Sequence, residues 1–456
     1  MVNWMADLPV YRGKFGTRQA ERLLWRAGFG PKPGQARKLA RLAERKGLKA
    51  AVRSLTRPAG KPRLVGPEPV DEDGYPLAPF DAYGHDMLWW LDRMVRSTHS
   101  FAERMALVWH DWFATADVDS QQLSIQQSET FRNVGLTTFS QLLEAVTVDP
   151  AMLIWLSGIE NTKRSPNENY GRELMELFTL GASDASGYPY SETDVREQAR
   201  ALTGWRADWV DDVGYTNFRF DPSRFDPGSK TIFGHTGAFG WQDSCRLCLE
   251  HPAHKKFFVT KLWSYFIPTP PKAKDRKALE RTYVKGGYAI LPLVEAILMH
   301  PKLYEGPSMV TPPIVYIAGL HRARRRGVSG EWVWISSIAG QRLFRPPNVS
   351  GWNDERWLDT STFRGRWIAA NEICSPDAVD SEAAYNDRET SNAALRKALT
   401  YWGNPSLSAG THKALLKFCD SVDVVAREDW EKSAFRALRQ NALRMLIATS
   451  PDIQAS

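Results

Sequence analysis

Two short segments carry the ionisable residues that are best placed to do chemistry. The first, 100–115, contains Glu103 and His110, which lie seven residues apart and so share one helix face, about two turns from each other. The residues between them, 105–109, are almost all apolar, which predicts that the carboxylate and the imidazole are partly buried and need partners. Taken alone, this segment favours a structural His–Glu pair that ties helices together.

The second segment, 165–178, predicts a helix that begins with a proline and an asparagine. Asn169, Glu173 and Glu176 fall in one stripe of that helix, because positions i, i+4 and i+7 lie on one face, and Arg172 flanks it. The stripe contains no lysine, unlike most solvated helix faces. Paired carboxylates in one pocket push their pKa values apart, so that one can act as an acid and the other as a base. We therefore favour a functional site here over a buried structural network.

These two segments predict one polar cluster on adjacent helices, with the catalytic residues Glu103, His110, Glu173 and Glu176. Substrate contacts are expected from polar and aromatic residues beside this cluster and in irregular segments, where binding residues concentrate. Two of the aromatic residues follow a glycine, which suits a platform for a ligand ring. The predicted substrate-binding residues are Asn167, Asn169, Arg172, Asp111, Trp205, Lys230, Asn348 and Trp352.

Helical periodicity dominates the elements that must position these residues. The fold class is therefore mainly α, with many helices in two packed lobes, long irregular loops and at most a small β-hairpin, expected at 215–220 and 231–233. A capping box at Ser191–Asp194 begins one of the helices. Helices are predicted at 17–57 (two, with a break at 28–33), 85–95, 100–113, 125–134, 139–147, 168–180, 194–204, 244–266, 276–284, 289–299, 310–326, 361–374 and 391–449.

The length of 456 residues exceeds the range in which one core keeps growing, so several segments are expected. Residues 1–58 form an N-terminal helical pair, 59–84 a Pro/Gly-rich linker, 85–240 a central helical core with the site, 241–375 a second helical lobe, and 376–456 a C-terminal helical tail.

The sequence argues against a membrane-spanning protein and against a nucleic-acid-binding protein. No apolar run is long enough for a membrane span, and the N-terminus has no basic region followed by an apolar one, which predicts a cytoplasmic protein. The net charge of +7 is mild, and its densest run, 321–327, ends an apolar helix, where cations suit the helix dipole. No nucleic-acid-binding motif accompanies this run, so we expect no nucleic-acid partner.

Cysteine and histidine spacing invites a zinc interpretation at one place, 245–254. Cys245, Cys248, His251 and His254 all lie within ten residues, whereas zinc ligands normally come from two elements folded around the ion. We therefore predict no metal site there, but a helix that ends near Pro252.

Several longer motifs resemble the bacterial family catalogued as domain of unknown function 1800, from residue 17 to residue 454. They are ERM…WHDWFAT at 103–115, DPAML at 149–153, PNENYGRELMELFTLG at 166–181, ARALTGW at 199–205, LWRAGFGP at 24–31 and PPNVSGW at 346–352. The resemblance implies a helical protein, often exported and often encoded beside a sulfatase-like protein, but no established reaction. This chain departs from the family in lacking an export signal.

Three functions fit these observations. We favour an acid–base enzyme that cleaves a substrate by hydrolysis or elimination, with a glycan or other polymer as the substrate and no cofactor. The first alternative is a non-catalytic subunit that binds a partner, such as a sulfatase-like protein. The second is a metal enzyme in which Glu103, His110, Glu173 and Glu176 hold a divalent metal, although the Glu-x-x-His motif of such sites is missing.

Overall fold

The computed structural model describes residues 8–456 apart from 117, 119, 183–186, 384, 386 and 387. Most of this chain is helical, which confirms the predicted mainly α class, and the strands form two small antiparallel hairpins. The main apolar core takes residues from Leu8 to Ala448, so the helices predicted for two lobes share one continuous core. The boundaries of the five predicted segments stay predictions.

The N-terminal region forms three helices where two were predicted. They are α1 (Thr17–Arg26), α2 (Gln35–Lys46) and α3 (Leu48–Thr56). The additional break lies at Gly47, whose positive φ of 82° is a conformation that glycine adopts without steric cost. The following segment, 59–84, is an irregular loop attached to the helical body, because Val70 N–H donates to the carbonyl oxygen of Val328 at 3.0 Å.

The central region supplies the helices that carry most of the predicted site. They are α4 (His85–Arg96), α5 (Ser100–Trp112), α6 (Gln121–Val134), α7 (Phe139–Thr147), α8 (Pro150–Trp155), α9 (Asn169–Glu173) and α10 (Glu192–Ala201). The predicted capping box is confirmed at the start of α10, where Ser191 and Asp194 bond reciprocally. A short 3₁₀-helix (Gly158–Glu160) follows α8, and α9 continues directly into a π-helical turn, Leu174–Thr179, which we call the π-turn.

The aromatic-rich stretch after α10 holds both hairpins. Strand β1 (Trp205–Val210) pairs with β2 (Gly214–Phe220), and β3 (Lys230–Ile232) pairs with β4 (His235–Gly237). The two predicted strand positions therefore belong to two separate hairpins. The register of β1 and β2 shifts between Arg206 and Asp208, as at a β-bulge.

The second half of the chain is again helical. The helix predicted at 244–266 is divided in two at Pro252, because proline lacks the N–H that a continuous helix would need there. Two further 3₁₀-helices lie at Asp354–Arg356 and Ser375–Asp377. The helices are α11 (Trp241–Glu250), α12 (His254–Ser264), α13 (Ala273–Lys285), α14 (Ile290–Leu298), α15 (Pro301–Glu305), α16 (Pro313–Arg324), α17 (Trp332–Ile338), α18 (Thr360–Cys374), α19 (Ser391–Tyr401), α20 (Ala409–Val425), α21 (Asp429–Ala448) and α22 (Pro451–Gln454).

The basic run at the end of α16 is used inside the fold. Arg322 is buried and donates to the carbonyl oxygen of Val95, while Arg324 and Arg326 both pair with Asp377. These contacts agree with the interpretation of the run as a helix end. In the described part of the chain, no helix is both long and apolar enough to cross a lipid bilayer.

Glu103 joins the three helices that surround the start of the site. Its carboxylate lies 2.9 Å from the guanidinium of Arg132 on α6 and 3.4 Å from that of Arg93 on α4. The Glu103 and Arg132 side chains are only 4% and 7% exposed, so this ion pair is buried. Both arginines also lie 3.6 Å from Glu129, which is 40% exposed. Glu103, predicted to be catalytic, is therefore engaged in holding α4, α5 and α6 together.

We expect Glu103→Gln to lower the free energy of unfolding by about 3 kcal/mol, because Arg132 would stay charged and buried without its carboxylate. The matched control, Glu129→Gln, removes a carboxylate from the same two arginines at the surface and should change stability by less than about 0.5 kcal/mol. Urea unfolding of both variants measures the difference. Equal losses in the two variants would contradict the structural role of Glu103.

Candidate functional site

Asp111, next to the predicted catalytic histidine near the end of α5, connects three segments of the chain. Its Oδ2 accepts a hydrogen bond from the Tyr265 hydroxyl at 2.7 Å, and its Oδ1 accepts one from the backbone N–H of Trp352 at 2.8 Å. Burial raises the pKa of Asp111, while these two hydrogen bonds and nearby Lys261 act to lower it.

The loop that ends in Trp352 approaches Asp111 so closely that only glycine fits at position 351. Gly351 has a φ of +91°, and a Cβ atom there would overlap Asp111 Oδ1. The PPNVSGW and WHDWFAT motifs, about 240 residues apart in sequence, are therefore in direct contact. This contact explains why a glycine precedes Trp352, whereas the sequence alone predicts only a platform for a ligand ring.

Lys261 on α12 adds a cation to the same place. Its Nζ donates to the carbonyl oxygen of Leu177 at 2.9 Å and lies 4.4 Å from the centroid of the Trp112 ring. Trp112 in turn donates from Nε1 to the carbonyl oxygen of Phe178 at 3.1 Å. The π-turn thus presents two successive carbonyl groups to α5 and α12.

The π-turn itself is a local departure from the predicted regular helix. Backbone hydrogen bonds in a π-helix span five residues instead of four, and such turns occur often at functional sites. The Thr179 hydroxyl donates to the carbonyl oxygen of Leu174, within the same turn. The carbonyl oxygens of Leu177 and Phe178 accept hydrogen bonds from side chains of α12 and α5, so each of them has a donor although it lies near the end of the helix.

A cavity of about 230 Å³ lies against these groups. Its charged and aromatic lining comes from α5, α12 and the 350–357 segment: Arg104, Asp111, Lys261, Tyr265, Trp352, Asp354 and Trp357. Burial lowers the pKa of Lys261 to about 8 and that of Arg104 to about 10. Burial and the nearby Asp111 carboxylate hold the pKa of Tyr265 well above its usual range. The wall therefore combines one persistent cation, a lysine that is partly neutral near pH 8, and a neutral phenol.

His110 lies behind this wall and does not line the cavity. It is 1% exposed and is surrounded by the rings of Trp90, Phe131, Phe344 and Trp352, with ring centroids 5.2 to 6.4 Å away. Neither ring nitrogen hydrogen-bonds to another described group. Burial, and then the charge of Arg345, lower the pKa of His110 to about 3, so the imidazole is neutral at ordinary pH. In this position His110 supports Trp352 by packing.

The glutamate pair lies at the start of the π-turn: Glu173 is the last residue of α9, and Glu176 lies within the turn. Burial and the charge of Glu176 raise the pKa of Glu173, and the Tyr190 hydroxyl donates to Glu176 at 3.3 Å. Arg172 pairs with Glu168 at 3.2 Å and with Glu192 at 2.8 Å. Among the described residues, no hydrogen bond or ion pair joins Glu173 or Glu176 to Glu103 or His110.

The described residues also contain no group of three His, Cys, Asp or Glu side chains that could hold a metal ion. Cys245 and Cys248 are buried in separate contacts, with the Thr147 hydroxyl and the Gln198 amide, and burial raises both thiol pKa values, which opposes thiolate formation.

The remaining predicted binding residues lie outside the cavity lining. Lys230 donates from Nζ to the backbone carbonyl oxygens of Asp226 and Gly228, and so stabilises its own turn. Trp205 packs between Phe220 and Trp241. Three asparagines complete the set: the side chains of Asn167 and Asn348 accept from backbone N–H groups two residues later, and Asn169 is exposed.

Asp111 and Trp352, which are predicted from the sequence, line the cavity together with three residues that are not: Arg104, Lys261 and Tyr265. A signal for Lys261 was present, since it is the one charged residue in the mostly apolar run 257–263. Glu103 and His110 are predicted from the sequence for the same reason. Arg104 lies beside Glu103 and carried no separate signal, because adjacent helix positions point in different directions.

The comparisons with known proteins identify a family and nothing finer. No curated protein matches the chain. No solved structure matches it either. The profile of the family described as "Protein of unknown function (DUF1800)" matches residues 22–455, nearly the whole chain. The protein therefore belongs to the DUF1800 family.

Proposed function

We propose that this protein is an acid–base enzyme that acts on a small anionic unit, such as one sugar ring of an acidic glycan, in the cavity beside Asp111. The observation that carries this proposal is the convergence of Lys261, Tyr265 and Arg104 on one cavity wall, with the pKa of Lys261 lowered to about 8. A lysine with such a pKa is available as a base near neutral pH, because a useful fraction of it is neutral.

The size and lining of the cavity support this substrate class. Its volume of about 230 Å³ is below the roughly 300–1,000 Å³ of pockets for drug-sized ligands, which suits a single ring. Trp352 and Trp357 offer aromatic surface for the apolar face of such a ring. Arg104 is buried and charged, and it suits a carboxylate, which its guanidinium can bind through two hydrogen bonds.

Of the two cleavage reactions that sequence analysis favoured, elimination fits these groups better. Lys261 in its neutral form takes the proton from the carbon next to the substrate carboxylate, whose growing negative charge Arg104 balances. The C–O bond to the leaving sugar breaks as a C=C bond forms. Lys261 then returns the same proton to the departing oxygen, so the step needs no further reactant. Tyr265, oriented by Asp111, hydrogen-bonds the substrate hydroxyls.

Lys261→Met should lower kcat for cleavage of a uronic-acid polysaccharide by about 10²–10⁴-fold, the range typical for losing a proton-transfer group. Tyr265→Phe should cost about 10-fold, since it removes the hydroxyl that contacts the substrate and Asp111 but no proton-transfer group. The control, Lys255→Met, changes an exposed lysine of the same helix and should leave kcat unchanged. The ultraviolet absorbance of the unsaturated product measures turnover. Release of a saturated product, or no turnover of any uronic-acid polymer, would reject the elimination.

The pH dependence follows from the lowered pKa of Lys261. Below about pH 8 the ammonium form dominates and cannot accept a proton, so kcat/KM should rise with pH and level off above about 8. A series of initial rates between about pH 6 and 9.5 measures this profile. A rate that falls over the same range would mean that Lys261 acts in its protonated form.

The glutamate pair supports a second candidate site. Glu173 and Glu176 flank the start of the π-turn, and their mutual repulsion helps to raise the pKa of Glu173, as in sites where one carboxyl group serves as an acid. In this alternative, Glu173 protonates the leaving group of a glycan and Glu176 acts as the base. A sulfatase-like partner remains a separate proposal that stands on the family resemblance alone.

Glu173→Gln distinguishes this alternative from a structural network. If Glu173 is the acid, the variant keeps its melting temperature and loses about 10²–10⁴-fold in turnover. If the cavity is the site, turnover persists and only stability changes. Glu160→Gln, at an exposed position, is the control for both readouts.

A further inference from the structure

The positive charge of this protein is concentrated at its N-terminal end. Between Leu8 and Arg63 the chain has sixteen lysines and arginines but only two acids, Glu21 and Glu44, whereas the whole chain has a net charge of only +7. The rest of the chain is therefore acidic on balance. Such an asymmetry indicates an interaction with a polyanion.

Some of these cations are used inside the fold. Arg26 is buried and donates to the side chain of Ser456, and Arg22 donates to backbone carbonyl groups at 304–307. Arg53 on α3 and Arg57, the residue after it ends, both pair with Glu295. The cations that remain lie mainly on α2 and on the segment before α1.

Four of these remaining cations border a groove of about 580 Å³ between residues 11–17 and α2. Arg12, Lys14, Arg37 and Arg41 line it and are exposed, and Glu44 is its one acidic lining residue. Among the described residues, none of the four cations has a carboxylate within ion-pair distance. Arg37 and Arg41 lie one turn apart on α2 and so face the groove together.

We propose that this basic groove binds an anionic polysaccharide chain. The groove shape suits a flexible polymer better than a flat bilayer, and the apolar face of α2 (Ala36, Leu39 and Ala43) is buried in the core, so this helix has none to insert into lipid. Single-stranded nucleic acid would need aromatic platforms for its bases. The aromatic side chains here, Tyr11 and Phe15, already pack against Tyr304.

The charge and shape of the groove support polysaccharide binding whether or not the cavity is catalytic. The two surfaces are joined by α1: Thr17 lines the groove, and the carbonyl oxygen of Arg26 accepts from Arg104, which lines the cavity. The ten residues of α1 span about 15 Å. A polysaccharide bound in the groove therefore contacts the same helix, α1, that contacts the cavity-lining residue Arg104.

The test measures binding of size-defined heparin fragments to the full chain by calorimetry at several salt concentrations. Arg37→Gln/Arg41→Gln should weaken binding by about 10-fold or more and flatten its salt dependence, because two charge contacts are lost. The control, Lys274→Gln/Lys277→Gln, removes the same charge from exposed positions on α13 and should leave both quantities nearly unchanged.

Equal losses of heparin affinity in the two double variants would mean that only net charge matters, and would overturn the proposal that heparin binds in the groove. Absence of heparin binding would overturn it as well. Tighter binding of oligothymidine or of phosphatidylserine vesicles than of heparin would reject the polysaccharide in favour of nucleic acid or membrane. The cavity is tested separately by turnover, so failure here leaves the proposed reaction untouched.

Discussion

The arrangement of the candidate site depends on one carboxylate. Asp111 accepts one hydrogen bond from the Tyr265 hydroxyl and another from the backbone of Trp352, and so holds together three segments that are far apart in sequence. A partly buried carboxyl group is costly unless such donors satisfy it. Because each donor belongs to a different segment, the cavity wall exists only when all three have packed. The shape of the cavity and tertiary folding are therefore coupled at this residue.

The helix that carries Asp111 could be predicted from sequence because its apolar pattern is long and regular. The shared face of Glu103 and His110 was predicted for the same reason. What each buried group contacts could not be predicted, since partners come from other helices through packing. Glu103 meets arginines from α4 and α6, while His110 meets only aromatic rings. One helix face thus contains two unrelated environments, two turns apart.

Two further differences have a similar physical origin. The turn at Lys230 satisfies its own ammonium group with backbone carbonyls, and a sequence pattern does not distinguish such a lysine from one that faces a ligand. The predicted glutamate stripe lacked a lysine in sequence, yet α12 brings Lys261 to the carbonyl group of Leu177. The π-turn was not predicted either, because apolar spacing over six residues fits α and π geometry equally well.

The geometry of the cavity wall depends on the number of residues in the π-turn. The π-turn accommodates one residue more than an α-helix would between the same end points. Deleting a single residue between Leu174 and Thr179 would let the segment wind as an ordinary α-helix between the same end points, and a different set of carbonyl groups would be left at its end. The carbonyl groups that meet Lys261 and Trp112 would then face elsewhere, although every named side chain of the cavity would still be present. Insertions and deletions in this turn are therefore constrained as strictly as substitutions at Asp111.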